Sequence, residues 1–200
     1  MQTGQKFGCQ LIFVCSVQTR QAQGFYRRYR FFLSKYAVHA NVRYNAKKMA
    51  TALVKSPSID RRFACFRLQI RESSIHRRGV FALERIPKGR KVIEYTGEKI
   101  SRRETKRRGL GSVTYLFTLD SYWTIDGAVG GSGAEIINHC CDPNLYTKIV
   151  RGHILYMSKR VIHPGEELTV DYRFSDKLEP VRCRCGAVVC RGTINVKEER

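Results

Sequence analysis

Three groups of residues combine types and spacings that could do chemistry. The first is Cys183-x-Cys185-x4-Cys190. Three thiols so close in the chain can close on one tetrahedral ion, since short Zn–S bonds demand a backbone that folds back on itself. Gly186 and Gly192 supply that sharp backbone. The run offers three ligands and a closed structural site needs four; Cys140 or Cys141 is the available donor. The competing reading is a set of free thiols, buried or reactive. The second group is Asn138-His139-Cys140-Cys141-Asp142-Pro143-Asn144. By itself it is an Asx-Pro turn with a buried polar pair. A single histidine in such a place is more often a hydrogen-bonded structural residue than a ligand or a base. The third is Gly165-Glu166-Glu167-Leu168-Thr169-Val170-Asp171-Tyr172, which alone reads as a turn and a strand.

These groups need elements to position them, and the sequence reads as mostly β. FACFRLQIRES, from Phe63, alternates apolar and polar residues, as a half-buried strand does. GVFALERI follows and ends at the turn Pro87-Lys88-Gly89. KVIEYTGEKI is a further strand, and SRRETKRRG is a short exposed helix or a loop. TYLFTLDSYWTIDG predicts two strands around a turn at Asp120–Ser121, and GAVGGSG predicts a loop. AEIINHCCDPNLY is irregular, with its turn at Asp142-Pro143-Asn144. TKIVRGHILYMSKRVI predicts a hairpin turning at Arg151–Gly152. HPGEELTVDY is a turn and a strand, and CRCGAVVCRG is a cysteine-bearing loop. There is no internal repeat.

An apolar share of 42% is enough for a core, and 200 residues suit one domain with some extra chain. No apolar run approaches the roughly eighteen residues that span a bilayer. The net charge of +20 favours polyanionic partners. It is unevenly placed: Asp60 is the first acid, and residues 1–48 already carry nine of the 37 basic residues. Residues 1–60 are expected to be a disordered basic extension. Three readings of residues 1–48 compete: an Arg-rich, acid-poor transit peptide, a secretory signal, or sequence upstream of a true start at Met49. The secretory reading is the weakest, because the patch Leu11–Val14 is short and no small-residue cleavage site follows. Five of the eight cysteines fall in two tight late groups, which argues for a reducing compartment and bound metal over a secreted disulfide scaffold.

In this order, the three groups resemble the SET family, with its NHSCxPN and GEELxxDY segments and its post-SET CxCx4C motif. Upstream, Ile75-His76-Arg77-Arg78-Gly79-Val80-Phe81-Ala82 is similar to the opening segment of that family. Ile93-Glu94-Tyr95-Thr96-Gly97-Glu98 resembles its EYxGE strand, and Tyr115-Leu116-Phe117-Thr118-Leu119-Asp120 its YLFxLD strand. The resemblance places a SET domain at 61–175 and a post-SET zinc motif at 179–195.

SET enzymes transfer a methyl group from S-adenosylmethionine to a protein lysine. The resemblance implies small curved sheets with a C-terminal pseudoknot, an exception to the rule against threaded chains. It implies that Tyr172 and Tyr115 act on the reacting atoms. The cofactor would be held by Arg77, Arg78, Gly79, Asn138, His139 and Tyr172, and the lysine channel would be lined by Tyr115, Tyr146 and Val170. Cys141, Cys183, Cys185 and Cys190 would hold zinc, with Cys140 at the family's serine position. Zinc would order the tail that closes the channel. The implied substrate is a histone or another basic, chromatin-associated protein. A minimal, stand-alone SET protein is implied, cytoplasmic in a bacterium or nuclear in a eukaryote, and not secreted.

The chain departs from the family pattern at three places. Arg77 stands where glycine is usual, Glu135 where an arginine usually precedes the NH segment, and Val170 where many members carry Phe or Tyr. The last leaves the number of methyl groups open, with Tyr146 as an alternative restriction. Two other functions compete: a SET-like zinc scaffold without activity, and a nucleic-acid binder using Arg102–Arg108, a run that reads equally well as a solvated face.

Overall fold

The structure, a computed structural model, describes residues 11–12, 57–109 and 114–196. The readings made for residues 1–56 therefore fall outside the described residues, Leu11 and Ile12 excepted. In chain order the strands are β1 (Leu11–Ile12), β2 (Leu68–Glu72), β3 (Arg78–Ala82), β4 (Lys91–Tyr95) and β5 (Glu98–Ser101). Helix α1 (Arg102–Arg108) follows, then β6 (Leu116–Thr118), β7 (Trp123–Asp126), a 3-10 turn at Ala134–Ile136 and β8 (Asn138–His139). The chain continues through β9 (Leu145–Val150), β10 (His153–Ser158), β11 (Glu167–Val170), β12 (Phe174–Ser175) and β13 (Asn195–Val196).

These strands form small sheets in the orders β1-β6-β7-β5, β4-β10-β9, β2-β3-β11-β8 and β12-β13. The mostly β expectation holds. The hairpin β9–β10 turns at Arg151–Gly152, both at positive φ (51° and 83°), the backbone of a type I′ turn that matches strand twist. The run Lys91–Ile100 is not one strand. It splits into β4 and β5, which join different sheets. Gly97 marks the break: a Cβ there would strike the backbone carbonyl of Asp126. Only glycine lets the chain pass that close.

The segment Asn138–His139, expected to be irregular, is a strand. It pairs in parallel with β11, Asn138 beside Thr169 and His139 beside Val170. The whole β9–β10 hairpin lies between them in sequence. The core fills the space between the sheets with Val80, Ile93, Ile154, Leu168 and the rings of Tyr95, Phe117 and Tyr156. Those rings meet at 5.3, 6.2 and 6.4 Å, tilted or edge-on, as aromatic quadrupoles prefer. The packed domain takes in residues just before 61: the Asp60 amide donates to the Ser132 carbonyl at 2.9 Å, and Ile59 packs on the core.

Helix α1 is capped by the Ser101 hydroxyl, which accepts from the Glu104 amide. Arg108 fastens it to the sheet, reaching Glu98, Glu104 and Asp126 at 2.7, 2.7 and 2.6 Å.

Candidate active site

Tyr172 stands two residues beyond the end of β11, and the parallel pairing of β11 with β8 sets His139 beside it. Burial of Tyr172 is nearly complete. Its hydroxyl donates to the Ile137 carbonyl at 2.8 Å, and its amide donates to His139 Nδ1 at 3.2 Å. The His139 ring lies 5.4 Å away, tilted, and the Phe174 ring stacks with that of Tyr172 at 6.0 Å. Burial, then the nearby Tyr115 phenol and the Glu167 charge, pushes the Tyr172 pKa far above the ordinary phenol value. The hydroxyl keeps its proton at any physiological pH.

His139 accepts the Tyr172 amide through Nδ1, so the neutral ring carries its proton on Nε2, which faces Cys141 Sγ at 3.4 Å. Burial pushes its pKa down to about 4. The 3.5 Å approach of Asp171 is then a contact with a neutral ring and not an ion pair. Asp171 takes its charge partner from the cysteine segment, where Arg191 grips it with two 2.9 Å bonds.

Asn138 works as a clamp. Its amide nitrogen lies 2.8 Å from Glu167 Oε1, 3.0 Å from the Arg78 carbonyl and 3.1 Å from the Ser73 hydroxyl. The hydroxyl of Ser73 also donates to the Glu167 carboxylate at 2.8 Å. Loop 73–79 is thereby tied to β8 and β11. Gly79 lies so close to this clamp that a Cβ would strike the Glu167 carboxylate. Arg77, at φ 44°, takes the left-handed turn that the loop requires.

Tyr115 joins this group. Its carbonyl accepts the Tyr95 hydroxyl at 2.6 Å and the Gly127 amide at 2.8 Å, and its ring is near enough to act on Tyr172 electrostatically. Val170 is buried in the core. Tyr146 is not brought to this group. It pairs with Met157 across the β9–β10 hairpin, on the sheet face opposite the buried Tyr156, and stays 43% exposed. Glu135, at the place of the expected arginine, turns inward and accepts the Gly133 amide at 2.8 Å; burial raises its pKa.

The thiols of Cys141, Cys183, Cys185 and Cys190 all lie within 4.8 Å of one another. Cys141 Sγ is 3.7 Å from Cys183 Sγ and 3.9 Å from Cys190 Sγ. Four sulfurs around one zinc at about 2.3 Å would stand about 3.8 Å apart, so the set fits a tetrahedral ion. Amides of Arg191 and Gly192 point at Cys141 and Cys190 sulfurs at 3.4 Å, as they do at thiolates. Gly186 and Gly192 bend the chain at φ 73° and 75°. Cys140, the alternative that spacing left open, is not one of these four and donates to the Asp142 carbonyl.

A cavity of about 450 Å³ opens between loop 73–79 and the cysteine segment. Ile75, Cys140, Glu167, Cys185, Val188 and Val189 are among the residues that line it. That volume suits a nucleoside-sized ligand. The sequence assigned no role to Ser73, Glu167, Asp171 or Arg191, although Glu167 and Asp171 lie within the Gly165–Tyr172 segment. Each acts through a partner distant in sequence, and no local pattern marks such a pair.

Small mixed sheets, two parallel strands that set a buried tyrosine beside a histidine, and a four-thiol cluster tied to that tyrosine define the class of domain. Residues 77–173 match the model of the SET domain family, and the chain carries a SET domain. It is 40% identical over 134 residues to "Histone-lysine N-methyltransferase trithorax" of Drosophila melanogaster, covering 62% of this chain and 4% of that protein. It is 39% identical over 135 residues to "Histone-lysine N-methyltransferase, H3 lysine-4 specific" of Schizosaccharomyces pombe, covering 62% and 14%. With "Histone-lysine N-methyltransferase SETD1" of Drosophila melanogaster it shares 41% over 138 residues, covering 64% and 8%. The matched region thus spans a small fraction of each of these relatives. Among the described residues no helix is long and apolar enough to cross a membrane.

Proposed function

We propose that this chain is an S-adenosylmethionine-dependent protein-lysine N-methyltransferase that acts on a histone in the nucleus. The observation that carries the reading is the Tyr172 phenol, buried, protonated and fixed on the Ile137 carbonyl beside the His139 ring. When bound, S-adenosylmethionine supplies a sulfonium methyl open to in-line attack. Loop 73–79, His139 and the cavity wall at Ile75 and Cys185 hold it, with Asn138 setting the loop. Arg77, Arg78 and Gly79 contribute backbone to that cradle.

The attacking lysine must be neutral, although a free lysine has a pKa of about 10.4. Tyr172 and Tyr115 form a dry wall that disfavours the ammonium. The Tyr172 hydroxyl, its own proton spent on the Ile137 carbonyl, offers lone pairs that accept from the amine and fix its approach. Alignment of this kind can supply about 7 kcal/mol or more of the barrier reduction. Cys141, Cys183, Cys185 and Cys190 hold zinc, keeping the cysteine segment against the cavity.

The test is transfer of labelled methyl groups from S-adenosylmethionine to histones by the full chain. Tyr172→Phe should lose at least a hundredfold in rate while keeping its circular dichroism and its cofactor affinity. Transfer no greater than that of Tyr172→Phe, with cofactor bound, would overturn the reading in favour of a zinc scaffold.

A further inference from the structure

The run Arg102–Arg108 is not a uniform basic patch. Arg107 pairs with Glu104, and Arg108 is enclosed by Glu98, Glu104 and Asp126. Those two charges are spent within the fold. Arg102, Arg103 and Lys106 are exposed and have no carboxylate partner among the described residues. Arg102 and Lys106 stand one turn apart on the same side of α1.

Next to these cations are two aromatic rings that the core does not use. The Arg102 amide donates to the Tyr122 carbonyl at 3.2 Å, and Ser101 pairs with Trp123 across β5 and β7. Tyr122 is 74% exposed and Trp123 39%. Lys99 sits over the Trp123 ring at 4.6 Å, which adds a fourth cation. Two large aromatic side chains, consecutive in the chain, are thus open to solvent. An acidic peptide would use the cations but leave the ring faces unpaired. A duplex would present phosphates but keep its bases stacked inside. A single strand offers both, phosphates to the cations and base faces to the rings.

The geometry points to a single-stranded nucleic-acid site formed by Lys99, Arg102, Arg103, Lys106, Tyr122 and Trp123. It makes no use of the cavity or of Tyr172, so it stands apart from the methyltransferase reading. Trp123 is the one tryptophan of the chain, and its fluorescence therefore reports on this site alone.

The experiment titrates the full chain with a labelled single-stranded oligonucleotide, following tryptophan quenching and probe anisotropy together. The same sequence as a duplex, heparin, and poly-glutamate serve as competitors. Binding should quench Trp123, and Tyr122→Ala should weaken it roughly 5- to 100-fold, the range of one lost base stack. The triple variant R102S/R103S/K106S should lower the slope of log affinity against log salt by about 2, at about 0.7 per phosphate on a single strand. The proposal is overturned if anisotropy rises without quenching, or if the triple variant keeps the full slope, which would place binding on other basic residues. It is also overturned if duplex, heparin or poly-glutamate displaces the strand at equal or lower concentration.

Discussion

Arg77 holds φ at 44°, where a side chain crowds its own carbonyl, and the structure keeps it there because loop 73–79 is tied down on both sides. That conformation costs an ordinary residue about 1–2 kcal/mol. Glycine escapes the crowding but gives back about 0.4–1 kcal/mol through a freer unfolded chain. Arg77→Gly should therefore stabilise the protein by about 0.5–1 kcal/mol, and Arg77→Val, branched at Cβ, should destabilise it by more than 1 kcal/mol. Urea midpoints of the two variants and wild type decide this; equal midpoints would mean the loop relaxes and holds no strain. At this scale much of the site was legible in the sequence. Tyr172, His139, Asn138 and the cysteines stood in recognisable strings. The exceptions have physical reasons. Tyr146 looked suited to the channel, but alternation along β9 sends its side chain to the outer face. Asn138 looked like a cofactor ligand, yet its amide is engaged by Glu167, Ser73 and the Arg78 carbonyl, none of them near it in the chain.

Strands and the short helix were legible where period and turn residues agreed, as in β9–β10, and illegible where pairing is non-local. Asn138–His139 has no strand period of its own; β11 makes it a strand. Two pairings between elements give predictions. Arg108 joins α1 to β5 and β7, and Asp126, its partner on β7, has a side chain only 7% exposed. Arg108→Met would leave that carboxylate without its cation, at a cost of about 2 kcal/mol, below the range for fully buried pairs because Arg108 itself is partly open to water. Asp126→Asn in the same chain should recover part of the loss in urea denaturation; additive losses would refute the pairing. On the outer face of β4 and β10, burial alone would raise the Glu94 pKa, but hydrogen bonds from His153 at 2.6 Å and Lys91 at 2.9 Å outweigh it and hold the group below its ordinary value. A depressed carboxylate gives its full stabilisation above the unfolded pKa of 4.5 and loses it as pH falls through the folded value. The stability gap between wild type and Glu94→Gln should therefore be present at about pH 5 and close as the pH falls below that. A gap that does not change with acid would show that neither bond favours the charged form.

The whole molecule depends on how its last segment returns to the first. Cys141 lies in the turn after β8, while Cys183, Cys185 and Cys190 come after β12, so one metal ion would join two distant parts of the chain. The protein alone also ties them together: Arg191 to Asp171 and, through its amide, to Cys141 Sγ, β12 to β13, and the Asn195 amide to the Ser175 carbonyl at 2.8 Å. β12 reaches the main core through Phe174, and Val181 and Ile194 pack against it, but that cluster includes nothing from Cys183 to Cys190, and an exposed ion pair contributes at most about 1 kcal/mol. The metal is thus the strongest candidate for holding Cys185, Val188 and Val189 against the cavity that they line. Removing it should free this segment and leave the sheets intact, because the core cluster around Val80, Ile93, Ile154 and Leu168 includes none of the four thiols. A chelator should then abolish S-adenosylmethionine binding in calorimetry, lower the melting temperature, and change far-ultraviolet circular dichroism only slightly. Added zinc should restore the binding, and so should cadmium, since four thiolates suit both ions. Cys141→Ser should copy the chelator, whereas Cys140→Ser should keep its zinc, because Cys140 is not one of the four clustered thiols. Metal analysis showing complete loss of zinc with cofactor affinity unchanged would mean that Arg191 and β13 alone hold the wall in place.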